Sequence, residues 1–283
     1  MKPARIRLLA LDLDGTVLDD EKHITPATRR ALEDAIAAGV TVLPASGRPL
    51  SGISREFLDI PGVNYAICAN GALVCRLSDG AKLHEDNLED GVAMALLEEL
   101  GRLNIITSFF LDGKSYLPAR QYDLMDQLSV SPGVLAYLRA SRIPVEHPAE
   151  LVRARGGVQK FSLGFVHEAD GRWRDGDRVR AILARYPALT VVSGGVDNLE
   201  ITAPTAHKGA ALRALGEQLG IPREETMACG DSGNDLEMIR YAGWGVAMAN
   251  SEPEVLAVAD AVTASNQEDG VALAIRRYIL GEK

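Results

Sequence analysis

The N-terminal part of the chain alternates short apolar runs with amphipathic stretches. Leu8–Leu11 is a continuous apolar run, typical of a strand that is covered on both faces. Thr25 and Pro26 predict the start of a helix that ends near Gly39, and the stretch VTVLPAS predicts a second strand. A strand, a helix and a strand within about 40 residues form a βαβ unit, so we expect parallel neighbouring strands.

Further along, SGRPLSGISREFL resembles a helix start and YAICA a third strand, followed by a hairpin-turn signal at Asn70-Gly71. The alternation returns in the last third of the chain. There KGAALRALGEQLG, DLEMIRYAG, PEVLAVA and DGVALAIRRYIL predict helices, whereas TMACGD and GVAMAN predict strands. The sequence thus predicts an α/β core with a doubly wound parallel sheet.

The middle of the chain, roughly residues 83 to 202, has a different pattern. Its strand candidates (IITSFFL, QKFSLGFV, LTVVSG, NLEIT) and helix candidates (GVAMALLEELGRL, GDRVRAILARY) follow one another in mixed order. Because the βαβ pattern resumes afterwards, we predict an inserted α+β domain. The expected division is a discontinuous core, residues 1–82 and 203–283, and an insertion, residues 83–202.

The composition and net charge of the chain limit the kinds of molecule that it is expected to bind. The 283 residues are 47% hydrophobic and 24% charged, enough for one large or two modest domains. A net charge of -9 argues against nucleic acid or an anionic membrane as a partner, but not against a small anionic substrate. The three cysteines lack metal-ligand or CxxC spacing, so we expect buried free thiols in a reducing compartment. No stretch approaches the ~20 apolar residues of a membrane span. We expect a cytoplasmic protein without zinc.

Carboxylates follow two of the predicted core strands. Asp12 and Asp14 come directly after Leu8–Leu11, and Asp231 ends TMACGD. In a parallel α/β sheet ligands bind at the carboxyl ends of the strands, so these side chains are expected in one crevice. Two charges about 4 Å apart repel by roughly 4 kcal/mol at an effective dielectric near 20. A divalent cation removes that cost, and hard carboxylate oxygens suit Mg²⁺.

Cationic and hydroxyl groups are expected at the same edge. Lys208 lies in the first turn of its predicted helix, where the helix dipole disfavours a positive charge unless an anion faces it. Ser46, Gly47 and Arg48 end the second strand and offer a hydroxyl, backbone N–H groups and a guanidinium. These groups suit phosphate oxygens.

Together these residues suggest phosphoryl transfer. An ionised carboxylate needs no base, so Asp12 can attack phosphorus once Mg²⁺ and Lys208 offset the repulsion, forming an aspartyl-phosphate. Asp14 would protonate the departing alkoxide and then take a proton from water. The metal would keep Asp12 ionised while Asp14 holds a proton part of the time.

DLDGT, ASGRP, Lys208 at a helix start and GDSGND, in this order, resemble the four motifs of the haloacid dehalogenase superfamily. The insertion resembles the type IIB cap of the Cof-type phosphatases. The stretches LEITAPTAHKG, VAMANSEPEV and SNQEDGVA also resemble that branch of the superfamily. The resemblance covers nearly the whole chain. It implies a phosphatase whose insertion is a lid that excludes water and selects a small phosphorylated metabolite. Sugar phosphates are the class that the resemblance favours, with phosphorylated flavin precursors and pyridoxal phosphate as alternatives.

The resemblance assigns roles residue by residue. It implies that Asp12 is the nucleophile and a metal ligand, that Asp14 is the acid/base and binds the metal through its backbone carbonyl, and that Asp231 is a metal ligand. Ser46 and Lys208 match the groups that bind phosphate.

Two further residues of GDSGND also have counterparts in the family. Asn234 resembles a residue that contacts the phosphate or supports a residue that does. Asp235 resembles a residue that orients the water molecules bound to the metal.

Several alternatives stay open at this stage. Ser46 could cap the helix begun near Pro49, Arg48 could be a surface side chain, and Asn234 and Asp235 would suit any helix N-terminus. A phosphomutase on hexose phosphates would use the same aspartyl-phosphate. A signalling module or a non-catalytic phospho-ligand-binding protein would use similar residues without turnover. We expect a monomer or weak homodimer.

Overall fold

The computed structural model describes residues 5–193 and 197–282. The chain divides into two compact units. Within the described residues, the first unit runs to Arg48, continues over Ile53–Glu85 and resumes at Ala206. The second comprises Pro49–Gly52 and Asp86–Thr205. The sequence predicts domain boundaries after residues 82 and 202. In the structure the corresponding boundaries follow Glu85 and Thr205, three residues later in each case.

The first unit contains a five-stranded parallel sheet. Its strands, numbered along the chain, are in spatial order β14 (Ala261–Val262), β13 (Trp244–Ala247), β12 (Thr226–Gly230), β1 (Leu8–Leu11) and β2 (Thr41–Pro44). All four residues of β1 are fully buried, as the apolar run predicted. The predicted parallel α/β core is therefore confirmed.

Helices surround this sheet. They are α1 (Pro26–Ala37), α2 (Arg55–Leu58), α7 (Lys208–Leu219), α8 (Leu236–Tyr241), α9 (Pro253–Leu256) and α10 (Gly270–Ile275). The Thr25 side chain caps α1 with Pro26 in its first turn, as predicted. The stretch predicted as a helix start after β2 forms only a 3₁₀ turn, Leu50–Gly52, and the single-turn helix α2.

The predicted strand YAICA belongs to a second sheet of the same unit. This antiparallel sheet contains β3 (Tyr65–Cys68), β4 (Leu73–Arg76) and β5 (Lys82–Glu85). A parallel bridge between Ala45 and Ile67 joins β3 to the end of β2. The turn predicted at Asn70-Gly71 connects β3 to β4. Leu8, Ala10 and Val74 belong to one apolar core that also contains residues of α7 and α8.

The second unit contains a six-stranded mixed sheet. Its order is β10 (Thr190–Ser193), β11 (Asn198–Thr202), β9 (Lys160–Gly164), β6 (Ile106–Leu111), β7 (Lys114–Pro118) and β8 (Arg142–Val145). Its helices are α3 (Asp90–Leu100), α4 (Pro132–Ser141), α5 (Pro148–Arg155) and α6 (Gly176–Leu183). Phe109, Phe161 and Ile201 point to one face of the sheet and share an apolar core with α3, α5 and α6.

Two expectations from composition can also be compared with the structure. Cys68, Cys75 and Cys229 are buried free thiols, as predicted. Among the helices of the described residues, none is long and apolar enough to cross a membrane.

Candidate active site

The site is built on the carboxyl ends of three adjacent strands. Leu11 is in register with Pro44 of β2 and with Cys229 of β12, so the three strands end side by side. The backbone N–H of Asp12 donates to the carbonyl of Cys229 over 3.0 Å, which extends this register by one residue. The residues after these strands, among them Asp12, Ser46 and Asp231, therefore come to one edge of the sheet.

Lys208 lies at the centre of this edge. It is fully buried, and its Nζ donates to Asp12 Oδ1 and to Asp235 Oδ1 over 2.6 Å each. A third acceptor, Asn234 Oδ1, lies 3.2 Å away. Burial opposes the charged form, but the carboxylates of Asp12 and Asp235 outweigh it and raise the pKa of Lys208. The lysine is therefore a fixed cation held by three acceptors.

The start of α7 explains how a lysine can occupy this position. His207 is the N-cap residue, and its Nδ1 accepts from the backbone N–H of Ala210 over 3.1 Å. His207 was not among the predicted site residues. In the structure it completes the helix start that carries Lys208 into the site.

Asp235 organises the loop after β12. Its Oδ2 accepts from the backbone N–H groups of Asp231 and Ser232, over 3.0 and 3.2 Å. Ser232 and Asp235 form a capping box at this turn, and Asp235 is fully buried. One carboxylate thus fixes the loop with one oxygen and Lys208 with the other.

Asp231 is oriented by the DLDGT segment. Thr16 Oγ1 donates to Asp231 Oδ1 over 2.8 Å. Gly15 has a φ of 82°, and a Cβ at that position would overlap the Asp231 carboxylate. The glycine is therefore required both by its backbone conformation and by the close approach of Asp231.

The carboxylates form a group that fits a divalent cation. One oxygen from each of Asp12, Asp231 and Asp235 can be chosen so that all three lie within 4.8 Å of one another. Three carboxylates face one ammonium group, and two carboxylates at this separation repel by about 3.5 kcal/mol at an effective dielectric of 20. Burial, with Asp235 and Asp231 adding to it and Lys208 opposing it, raises the pKa of Asp12 well above its ordinary value. Burial likewise raises the pKa of Asp231 to about 6. A cation among hard oxygen donors would relieve this unfavourable concentration of charge.

Asp14 is in a different environment. Arg48 donates to it from Nε and Nη2, over 2.9 Å each, and Lys22 Nζ lies 2.9 Å from its Oδ1. Burial opposes ionisation, but Arg48 and Lys22 together outweigh it and lower the pKa of Asp14. Arg48, predicted as a phosphate ligand, is thus placed on the Asp14 carboxylate.

The loop after β2 brings its hydroxyl to the same edge. Ser46 is buried, and its Oγ accepts from the backbone N–H of Arg48 over 3.2 Å. Gly47 lies between them in this loop. The hydroxyl therefore caps a local turn, which is compatible with its second predicted role of donating to a phosphate oxygen.

Several of the described residues that contact the site were not among the predicted ones. They include Thr16, Lys22, Asn70 and His207. Thr16 lies within DLDGT and could have been included from its hydroxyl alone, and Asn70 was noted only as part of a turn. Lys22 and His207 carry no signal beyond their position in the chain.

Comparison with known proteins assigns the family. Residues 9–275 match the profile of haloacid dehalogenase-like hydrolases. Phosphatase YwpJ of Bacillus subtilis is 31% identical over 94% of this chain and 98% of its own. The 5-amino-6-(5-phospho-D-ribitylamino)uracil phosphatase YcsE of the same organism is 29% identical over 97% and 96%. The subclass IIB sugar phosphatase BT4131, 24% identical, shares the fold with a TM-score of 0.78 over 96% of this chain and 98% of that chain.

The protein belongs to the haloacid dehalogenase-like hydrolase family. It is an enzyme of the phosphoric monoester hydrolase class, as its motifs predicted. The alternatives without catalytic turnover are thereby set aside.

Proposed function

We propose that this chain is a Mg²⁺-dependent phosphatase that hydrolyses a small phosphorylated metabolite through an aspartyl-phosphate on Asp12. The observation that carries the proposal is the contact of 2.6 Å between the buried Asp12 and the buried Lys208 at the end of β1. Asp12 and Asp231 would hold the metal, with the backbone carbonyl of Asp14 as a further ligand that the family resemblance implies. When bound, Mg²⁺ would offset the negative charge of the carboxylates and of the phosphoryl group.

In the first step Asp12 attacks phosphorus, and the bond between phosphorus and the ester oxygen breaks. Asp14 gives a proton to that oxygen, so the product leaves as an alcohol. In the second step Asp14 takes a proton from water, whose oxygen attacks phosphorus and releases phosphate from Asp12. Lys208 remains fixed beside Asp12 throughout and stabilises the negative charge of the phosphoryl oxygens.

The contacts of Asp14 impose a condition on this sequence of steps. Arg48 and Lys22 hold Asp14 ionised, which suits the second step and opposes the first. The phosphoryl oxygens of an ester would compete with Asp14 for both cations. We therefore expect Arg48 and Lys22 to leave the Asp14 carboxylate when substrate binds, which would allow it to hold a proton.

For the substrate we propose a sugar phosphate or a similar polyhydroxylated ester. Support comes from the relative YcsE, whose name gives a ribityl phosphate as its substrate. An unprotonated sugar alkoxide is a poor leaving group, which explains the need for a protonating residue such as Asp14. Neither nucleic acid nor a membrane is part of this proposal, and we expect the enzyme to act as a monomer or weak homodimer in the cytoplasm.

The test is release of free phosphate from a panel of sugar phosphates and ribityl phosphates by purified protein in several-millimolar Mg²⁺. We expect turnover by the native protein, background rates for Asp12→Asn, and native rates for Asp59→Asn, a matched change at an exposed carboxylate. Acid quenching should trap a phosphorylated peptide containing Asp12. Native turnover by Asp12→Asn would refute the proposal, and return of phosphate to the sugar without release would identify a phosphomutase.

A further inference from the structure

The turn between β3 and β4 has an unusual backbone. Ala69, Asn70 and Gly71 are three consecutive residues in the left-handed region, with φ of 51°, 59° and 101°. Alanine rarely adopts this conformation, whereas asparagine adopts it more readily than most residues other than glycine. Such backbone persists where the surroundings hold it in place, often at functional sites. An ordinary hairpin turn, the sequence prediction for Asn70-Gly71, does not require all three.

The backbone of this turn holds the loop after β2. The N–H of Ala69 donates to the carbonyl of Arg48 over 2.9 Å, and the N–H of Asn70 donates to the carbonyl of Ser46 over 3.1 Å. Because both donors belong to left-handed residues, an extended turn would not present them to the same loop. The turn therefore fixes the segment that carries Ser46.

The third residue of the turn lies against the start of α7. A Cβ on Gly71 would overlap the backbone carbonyl of His207 and lie 2.8 Å from the backbone nitrogen of Lys208. The two backbones are in contact at a position where only glycine fits. The turn thus determines where the first residue of α7 can lie.

The side chain of the turn reaches a third segment. Asn70 is 6% exposed, and its Oδ1 accepts from Asn234 Nδ2 over 3.5 Å. The ammonium of Lys208 is donor-only, so Asn234 must present its oxygen to Lys208. That orientation leaves the Asn234 amide N–H groups to face Asn70.

We propose that the left-handed turn 69–71 is the positioning element of the active site. It holds the Ser46 loop, the Lys208 helix start and Asn234 in one arrangement, and Asn70 is a positioning residue that acts on Lys208 through Asn234. The inference rests on the proposed function only in that Lys208 serves the phosphoryl group. Its consequence is that the turn controls the rate of the chemical step more than the binding of substrate.

The first test uses Asn70→Gly, which keeps a left-handed backbone accessible and removes the carboxamide. We expect kcat to fall about tenfold, with KM for the ester and the thermal midpoint nearly unchanged. In an Asn234→Ala background the same change should cost little further, because its route to Lys208 is already lost. An unchanged kcat, or an equal tenfold loss in both backgrounds, would overturn the role of Asn70.

The second test does not depend on activity. Gly71→Ala and Gly80→Ala both place a Cβ on a left-handed residue, but the Cβ at residue 80 meets open space. By hydrogen exchange, Gly71→Ala should lose protection at the N–H groups of Ala210 and Ala211, which donate to His207. Gly80→Ala should keep that protection.

Equal protection in the two glycine variants would overturn the positioning role of the turn. Failure of the proposed function would instead be a native protein that releases no phosphate, and it would leave the exchange result as it stands. Should Gly71→Ala not fold, Asn70→Gly provides the same exchange comparison, with partial loss of protection at the start of α7 expected and full native protection refuting the proposal.

Discussion

Replacing Lys208 by methionine is the most informative perturbation of the site. The side chain is fully buried and contacts Asp12, Asp235 and Asn234, so the change keeps most of its volume and removes its charge. Removing one partner of a buried ion pair costs about 3–5 kcal/mol, because the other charge stays buried without compensation. We expect Lys208→Met to lose about that much stability in a chelating buffer.

The same change has the opposite effect on the metal. Lys208 is a positive charge that competes with a dication for Asp12. Without it the carboxylate group carries one more uncompensated negative charge, and we expect Mg²⁺ to bind at least about tenfold more tightly. Part of the lost stability should return when Mg²⁺ is added. The phosphatase rate should nevertheless fall by about 10²–10³, because a fixed cation no longer faces the phosphoryl oxygens.

The measurements are urea unfolding in chelator and in Mg²⁺, calorimetric titration with Mg²⁺, and phosphate release. Lys82→Met is the matched control, since Lys82 forms a partly exposed pair with Glu85 at 3.0 Å. Such pairs contribute about 0–1 kcal/mol, so its stability, its Mg²⁺ affinity and its rate should be nearly native. A Lys208→Met protein within about 1 kcal/mol of native stability and with native kcat would refute the reasoning.

Three other changes test the metal site. Thr16→Val removes the hydrogen bond to Asp231 and should weaken Mg²⁺ binding about tenfold by calorimetry, whereas native affinity would show that Thr16 does not orient this ligand. Gly15→Ala introduces a Cβ that overlaps the Asp231 carboxylate and should lower kcat about 10²-fold, a prediction that a native rate would contradict. Adding Mg²⁺ at 100 times its Kd should stabilise the protein by about 2.7 kcal/mol over the chelated form, and identical thermal midpoints would argue against a metal site.

The core sheet was predictable because its sequence signals are local. β1 and β12 are buried on both faces, so each reads as a continuous apolar run that ends in a carboxylate. The helix starts at Thr25 and Lys208 followed from capping and period alone. Once the strands are parallel, the convergence of Asp12 and Asp231 follows from topology without any knowledge of side-chain packing.

Parts of the inserted unit were not predicted, for physical reasons. β7, KSYLP, is buried at four successive positions and shows no alternation, and β8, RIPV, is an edge strand that contains a proline. α5, PAELVRAR, has buried Val152 but otherwise little apolar surface to mark a helical face. In these segments the tertiary contacts determine the secondary structure, and local sequence patterns contain little information about those contacts.

The ion-pair partners of Asp14 could not be predicted from the sequence either. The pairing of Arg48 and Lys22 with Asp14 depends on the reach of long side chains across loops, which spacing does not determine. The role of the 69–71 turn depends on contacts with residues more than a hundred positions away in the chain. An Asn-Gly turn has the same sequence signature whether or not its backbone packs on a helix start.

The proposed reaction needs an ionised Asp12 and, in its first step, a protonated Asp14. The environment of the two carboxylates in the structure shifts their pKa values in the opposite directions. Burial raises the pKa of Asp12, the nucleophile, whereas Arg48 and Lys22 lower the pKa of Asp14, the acid. A dication beside Asp12 would lower the pKa of the nucleophile, and an ester that draws away Arg48 and Lys22 would raise that of the acid. Both reversals would thus be produced by the metal and the substrate themselves. Asp14 would then be able to protonate the leaving group only beside an ester that draws away Arg48 and Lys22.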